Sequence, residues 1–431
     1  MNIRGGLGAL QRTLTLPNYR LYVIGNLASN LGLWVQRVAI GWMTWELTNS
    51  TAWLGGIAIA ESAPSIALGL IAGTVVDRVD YFKMMRITQA CSLTYAVAMA
   101  AFTFAGLMDI WVLLALTIAR GSIIAFHRPS RMTVVYSLVG RDLLPSALAM
   151  NSMIFNTSRF IGPAIGGAII VAGGAAWTFA MGAALFFVFT VTLHAMDIPP
   201  VVPQRRQSSM IYESVEGIRY IFRHEGIRTQ LSLLIVTSIF AKPVTDLLPG
   251  FAAQVFERGP EGLALLLSFH GLGAMAGGIW LASRGKGLRG MTAMSIRNIL
   301  LISVGLLMFS ATNVFWIACP LIAWIGYTFI VQGVSNQTLI QSAVDPSLRG
   351  RVISIYGLVA QGVPAVGAMV MGGAAEHLGL RLPVAVGALI CLALWMWAWK
   401  QRKTLGALLE ADPQSGAASD QPASARPAGR T

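Results

Sequence analysis

The sequence predicts an all-α membrane protein with twelve transmembrane helices in two six-helix halves. Of its 431 residues, 55% are hydrophobic and only 11% are charged, whereas a soluble chain carries about a quarter charged residues. A helical span needs about 20 mostly apolar residues, and the chain offers twelve such segments whose pattern repeats after the sixth. We therefore expect almost the whole chain to lie within or against a lipid bilayer.

The twelve apolar segments follow one another with short polar connections. They are expected near residues 20–46, 53–76, 84–107, 110–138, 146–171, 176–197, 229–256, 261–283, 294–311, 314–343, 349–375 and 380–400. One connection is long, and its second part, "IYESVEGIRYIFRHEGIR", places Val215, Ile218, Ile221 and Phe222 at helical spacing opposite charged residues. This pattern is typical of an amphipathic helix at a membrane surface.

The chain is thereby divided into four regions. An N-terminal six-helix half (1–197) precedes a cytoplasmic linker with the amphipathic helix (198–228), a C-terminal six-helix half (229–403) and a disordered cytoplasmic tail (404–431) that is rich in Ala, Ser and Pro. The segment "RDLLPSALAMNSMIFNTSRFIGPAIGG" resembles "DPSLRGRVISIYGLVAQGVPAVGAMVMGG", roughly 200 residues later. Parallel repeats of this kind occur in transporters that bind substrate between their halves near the bilayer midplane.

The basic residues predict the orientation in the membrane. The chain carries a net charge of +13, and its Lys and Arg residues gather in the loops of one side, for example Arg86, Arg131, Arg206, Arg289 and Lys403. Positively charged loops stay in the cytoplasm. We therefore expect a multi-pass protein of the cell (inner) membrane with both termini cytoplasmic, and we expect no nucleic-acid partner.

Several classes of chemistry have no support in the sequence. Cys91, Cys319 and Cys391 are far apart and the five histidines are scattered, so we expect no metal and no cofactor. Neither a phosphate-binding loop, nor a G-x-S-x-G elbow, nor an H-E-x-x-H motif is present. The sequence therefore predicts that the protein is not an enzyme.

A charged stretch that follows the second span carries a family signature. Gly73, Asp77 and Arg78 form G-x-x-x-D-R, and the flanking sequence "PSIALGLIAGTVVDR" is followed later by "LLPSALAMNSM" and "IGPAIGG". In order and spacing, these motifs resemble the major facilitator superfamily over roughly residues 15–400, in particular its branch of enterobactin-type siderophore exporters and macrolide-efflux proteins. The resemblance implies the major facilitator fold.

The resemblance also implies a function. It points to a secondary active transporter, a proton-coupled exporter of a small amphipathic molecule (siderophore or drug-like), working by rocker-switch alternating access. Its partners would be a small-molecule substrate, protons and the lipid bilayer, and we expect a monomer. Two alternatives stay open: an importer or facilitator on the same fold, and a non-transporting membrane scaffold or assembly protein.

In the family, the Asp and Arg of this signature form a cytoplasmic latch with the start of span 11. Here Arg349 and Arg351 begin span 11 and are the expected partners of the Asp77 carboxylate, while Gly73 lacks a side chain where two helices approach. The alternative is that these charges only set the topology.

A second motif lies in span 5. Gly162, Pro163, Gly166 and Gly167 resemble part of a signature of proton-coupled antiporters. Pro removes a backbone hydrogen bond and Gly allows close helix contact, so the motif predicts either a hinge or helix packing alone.

Ionisable residues deep within predicted spans are candidates for the proton or substrate pathway, because charges in lipid are costly and face a cavity or a partner. The candidates are Arg37, Glu61, Arg120, Asp246 and His270. Glu61 ranks first because "IAIAESAPSIALGL" offers no local counter-charge. The alternative is a buried ion pair with Arg37 or Arg120.

Two of these candidates have simpler alternatives. Asp246 lies four residues after Lys242, and such a pair on one helix face can neutralise itself. His270 could titrate near neutral pH or serve as a hydrogen-bonded packing residue.

Overall fold

The computed structural model describes residues 12–76, 79–198, 210–284 and 287–410, and these residues form helices joined by short loops. The first helix set comprises α1 (Pro17–Thr48), α2 (Thr51–Val76), α3 (Tyr81–Phe104), α4 (Ile110–Gly140), α5 (Asp142–Gly173) and α6 (Ala175–His194). The linker contains α7 (Met210–Arg223). The all-α prediction is confirmed.

The second helix set follows the linker. It comprises α8 (Glu225–Phe240), α9 (Val244–Gly250), a π-helical turn (Phe251–Val255), α10 (Pro260–Ser283), α11 (Met291–Ala311), α12 (Phe315–Ala343), α13 (Arg349–Leu378) and α14 (Arg381–Lys400). A short helix, α15 (Arg402–Leu409), follows it. Residues 404–409 were assigned to the tail by sequence, yet they belong to α15, where Leu405 and Leu409 are buried; positions 411–431 lie outside the described residues.

Within the described residues, ten helical segments are long and apolar enough to cross a membrane. They are α3, α4, α5, α6, the stretch Glu225–Val255, α10, α11, α12, α13 and α14. The helices α1 and α2 have 32 and 26 residues and are not among these ten. The count of twelve spans therefore stays a prediction.

Local sequence signals explain where several helices begin and end. Pro17 starts α1, where a missing N–H costs nothing. The Asp80 carboxylate accepts hydrogen bonds from the backbone N–H groups of Phe82 and Lys83 at the start of α3, and Asp109 does the same for α4. Gly140, at φ 68°, separates α4 from α5 in a conformation that favours glycine.

The seventh predicted span is one stretch in the sequence but is broken in the structure. Residues 241–243 form a turn between α8 and α9, because Pro243 has no N–H with which to continue the helix. Pro249 and the π-helical turn at Phe251 follow within two turns. The break ends the continuous helical register between α8 and α9.

The most extensive contacts between the two helix sets run along two helix pairs, α2 with α13 and α5 with α10. Gly55 on α2 allows the first contact, since a Cβ there would lie 2.4 Å from the carbonyl oxygen of Ala368. On α5, a Cβ at Gly167 would lie 2.1 Å from the Cβ of Ala264, and one at Gly162 would lie 2.5 Å from the Cβ of Trp34. The span-5 motif thus packs α5 against α1 and α10; its role as a hinge stays a prediction.

Candidate functional site

A cavity of about 380 Å³ lies between the two helix sets and is lined by side chains from both. Six of its lining residues are arginine, lysine, aspartate or glutamate. They are Arg37, Glu61, Arg128, Arg159, Lys242 and Asp246. Four are cations and two are acids, so the lining has an excess of positive charge.

One acid of the cavity is paired within the first set. Arg120 Nη1 on α4 lies 3.3 Å from Glu61 Oε1 on α2, and Arg120 is only 6% exposed. Gly121 brings the two helices together, because a Cβ there would lie 2.2 Å from the carbonyl oxygen of Glu61. Of the alternatives for Glu61, the structure has the pair with Arg120.

The other acid is paired across the two sets. Arg37 Nη2 on α1 donates a hydrogen bond of 2.8 Å to Asp246 Oδ1 on α9. The alternative in which Lys242 neutralises Asp246 is therefore not what the structure has, because the turn at residues 241–243 removes the four-residue helical register between them. Lys242 forms no ion pair with any residue that the structure describes.

A third group joins α5, α10 and α1. Arg159 Nη2 donates to His270 Nδ1 at 3.2 Å, which leaves the proton of the neutral His270 ring on Nε2. The guanidinium carbons of Arg37 and Arg159 lie 5.7 Å and 5.6 Å from the centre of the Trp34 ring, within reach of a cation–π interaction. Gly271 permits the close approach of α10 to α5, since a Cβ there would lie 2.6 Å from the carbonyl oxygen of Arg159.

Three buried donors in this group lack a partner among the described residues: Arg159 Nε, His270 Nε2 and Trp34 Nε1. Arg159 and His270 both line the cavity. Unpaired buried donors are costly. Sequence reasoning missed Trp34, although its spacing of three residues from Arg37 on one helix was a usable signal.

The residues of the predicted latch are only partly visible. Asp77 and Arg78 lie outside the described residues, and Gly73 lies near the end of α2. Arg349 is exposed at the start of α13. Arg351 instead forms an ion pair with Glu216 on the linker helix α7, so the latch stays a prediction.

The start of α2 and the end of α13 are joined by the carboxylate of Glu376, which sequence reasoning did not single out. Glu376 Oε2 accepts hydrogen bonds from Ser50 Oγ at 2.9 Å, Thr51 Oγ1 at 3.1 Å and the Ala52 N–H at 3.2 Å. Thr51 Oγ1 also lies 2.8 Å from the carbonyl oxygen of Gly372. The N-terminus of α2 is thus capped by the other helix set, and the two sets are closed against each other at this end.

Comparison with known proteins identifies a family and a fold. Residues 12–422 match the family model described as transmembrane secretion effector, a major facilitator family. The chain is 25% identical to the staphyloferrin A transporter of Staphylococcus aureus over 360 residues, which cover 81% of this chain and 87% of the relative. It is 24% identical to the enterobactin exporter EntS of Salmonella typhi over 379 residues, 86% of this chain and 89% of the relative.

Solved structures agree in fold. The nucleoside transporter NupG superposes with a TM-score of 0.69 at 13% identity, covering 90% of this chain and 99% of that one. A bacterial homologue of the human lysosomal transporter Spinster, in an inward-facing and unoccupied conformation, gives a TM-score of 0.66 at 12% identity and covers 90% and 98%. At such low identity the similarity shows the fold alone.

Proposed function

Because the chain belongs to the transmembrane secretion effector family of the major facilitator superfamily, and is thus a membrane transporter rather than an enzyme, we propose that it is a proton-coupled exporter of a small amphipathic anion. The observation that carries the choice of an anion is the cavity lining, in which Arg128, Arg159 and Lys242 have no acidic partner among the described residues. Cations with free donors in a shielded site favour acidic oxygens.

The relatives narrow the class of substrate. One is named for staphyloferrin A and another for enterobactin, so a siderophore is the first compound class to test. Molecules that chelate hard cations do so through oxygen ligands, and ionised oxygens match the unpaired Arg159 and Lys242 of this cavity. Apolar walls supplied by Ile66, Ile124 and Phe329 suit the amphipathic part of such a molecule.

The proposed mechanism is rocker-switch alternating access by two six-helix halves within a twelve-span protein. The first set would be one half and the stretch from α8 to α14 the other, with the cavity between them. The contact of Glu376 with Ser50 and Thr51 supports a state that is closed at that end. With both termini cytoplasmic, that end faces outward and the cavity would open to the cytoplasm.

The proton would be carried by Asp246, the acid whose ion pair with Arg37 joins the halves. When the halves part, Arg37 and Asp246 separate, and the freed carboxylate can take up a proton from the outside. When the halves return, Arg37 pairs with Asp246 again, and the proton leaves towards the cytoplasm. Each cycle would then move one proton inward and one substrate molecule outward.

Inverted membrane vesicles test this function. Vesicles with an acidified interior and the full chain should accumulate a labelled siderophore, staphyloferrin A or enterobactin, and a protonophore should abolish the accumulation. Vesicles without the protein are the control. Uptake that needs no pH gradient and stops at equal concentrations would support a facilitator, and accumulation only in right-side-out vesicles would support an importer. If neither vesicle type transports any siderophore or amphipathic drug, the transporter of anions is refuted and a scaffold role is favoured.

The orientation has its own test. Labels at position 206 or after 404 should react from the cytoplasm, whereas labels near 109 and 377 should react from outside. An external signal at position 206 would overturn the arrangement with both termini inside.

A further inference from the structure

A second cavity, of about 370 Å³, is a groove on the periphery of the second helix set, away from the first set. It lies where α10 ends, α11 begins and α14 ends, and it shares no lining residue with the central cavity. Its wall includes two arginines between two tryptophans. They are Arg284, Arg297, Trp280 and Trp399.

Arg297 stands at one end of a surface stripe that faces away from the protein core. Val304 and Met308, seven and eleven residues further along α11, share this face and are 42% and 53% exposed. Such a stripe on a membrane-spanning helix contacts lipid. Arg297 is exposed as well and forms no ion pair with any described acid, so an anion from outside the protein would stabilise it there.

Arg284 is held in position without being neutralised. Its Nη1 donates to Met294 Sδ at 2.8 Å and its Nη2 to the carbonyl oxygen of Arg289 at 3.4 Å. A thioether is a weak acceptor, so the guanidinium keeps capacity for a stronger one.

An acid beside the groove is already engaged. Glu410 Oε2 accepts from the Gly290 N–H at 2.7 Å, and Oε1 accepts from the Thr292 N–H at 2.8 Å. These contacts cap the N-terminus of α11 and leave the two arginines of the groove without a carboxylate in the described part of the chain.

The tryptophans place the groove at the depth of lipid headgroups. Trp280 is 39% exposed, and Trp399 lies at the end of α14 under the Arg402 guanidinium, 4.4 Å from its ring centre. Tryptophan side chains gather at the boundary between headgroups and hydrocarbon. The groove thus offers two cations at headgroup level and an apolar stripe that leads from them into the membrane.

We propose that this groove binds the headgroup phosphate of an anionic phospholipid between Arg284 and Arg297. One acyl chain would lie along Val304 and Met308. Basic pockets between helices on the cytoplasmic side suit anionic headgroups. Inorganic phosphate shares the phosphate chemistry, but it has no apolar part to place on the stripe, so the lipid is the expected occupant.

The proposal is tested on the full chain purified in a neutral detergent. Phosphatidylglycerol and phosphatidylcholine of identical acyl chains are titrated, bound lipid is counted by native mass spectrometry, and Tm is followed in parallel. Phosphatidylglycerol should bind more tightly than phosphatidylcholine. Arg284→Gln and Arg297→Gln should each weaken phosphatidylglycerol binding about fivefold, because each arginine near the surface contributes to anion attraction.

Arg20→Gln is the matched control, since Arg20 is an exposed arginine in the first turns of α1, and it should leave lipid binding unchanged. Unchanged Tm without added lipid would show that the groove variants are folded. Phosphatidylglycerol binding that survives the double variant Arg284→Gln/Arg297→Gln would overturn the proposal. So would inorganic phosphate at millimolar concentration raising Tm as far as the lipid does and displacing it, because the groove would then be a free-anion site.

Discussion

The two ion pairs of the central cavity differ in the helices that they join. Glu61 and Arg120 both belong to the first set, and the Arg120 and Glu61 side chains are 7% and 26% exposed. Arg37 and Asp246 connect the first set to the second, and their side chains are 36% and 20% exposed. A motion that separates the sets would break the second pair and leave the first intact.

This difference separates structural charge from switchable charge. A pair within one rigid body keeps its partner in every state, so it stabilises that body and reports nothing about the transport cycle. A pair across two bodies has a partner in one state and none in the other, which is what proton coupling requires. The sequence ranked Glu61 first; because Asp246 pairs across the two sets, it is our candidate for the proposed proton coupling.

The largest expected effect on transport is that of Asp246→Asn. Asparagine cannot carry the proton, so we expect transport driven by a pH gradient to fall about tenfold or more, within the range of typical coupling free energies. Exchange of substrate without a gradient should persist. Both rates are measured in inverted vesicles at matched expression.

Arg37→Gln serves as the companion variant. Combined with Asp246→Asn, it should add little further loss, since the two residues act as one pair. Gradient-driven accumulation at the wild-type rate in Asp246→Asn would move the coupling site back to Glu61.

Glu61→Gln should act mainly on stability. It leaves the buried Arg120 guanidinium without a counter-charge, and breaking a buried pair costs about 3 kcal/mol. We expect a lower Tm in detergent, with gradient-driven transport retained by the molecules that stay folded. A variant with wild-type Tm and no gradient-driven transport would contradict this and restore the interpretation made from the sequence.

Asp77→Asn tests the latch. If the Asp77 carboxylate alternates with Glu216 as the partner of Arg351, its loss should slow transport roughly fivefold, an effect of about 1 kcal/mol, while insertion and expression stay normal. Glu216→Gln is the companion variant. The Arg351–Glu216 pair is partly exposed, with side chains 28% and 45% accessible, so its loss should lower the free energy of unfolding by about 1 kcal/mol or less. Transport at wild-type rate in Asp77→Asn would mean that this stretch only sets topology.

The smallest effect is expected for Glu376→Gln. The amide oxygen still accepts from Ser50 or Thr51, but without charge, so the cap on α2 should weaken by up to about 1 kcal/mol. Spin labels at 107 and 314, in a background without native cysteines, should show a modest increase in the population of long label-to-label distances at the end where Glu376 caps α2. A distance distribution identical to that of the parent protein would show that the contact does not hold the sets together.

The sequence alone determined that this protein is an all-helical membrane transporter of the major facilitator superfamily. Composition and span length can be judged locally, because each span must satisfy its own backbone hydrogen bonds in lipid. The order and spacing of several motifs, from Gly73 to Gly167, carry the family resemblance. The basic loops gave the orientation, which stays a prediction.

Only the tertiary structure decided which charges meet. Asp246 lies four residues from Lys242 and 209 residues from Arg37 in the chain, yet it pairs with Arg37. Glu376 likewise caps a helix whose first residue lies 325 positions away. Electrostatic energy depends on distance in space, and that distance is set by the break at residues 241–243 and by helices meeting at Gly55 and Gly271, which no local pattern of charges reveals.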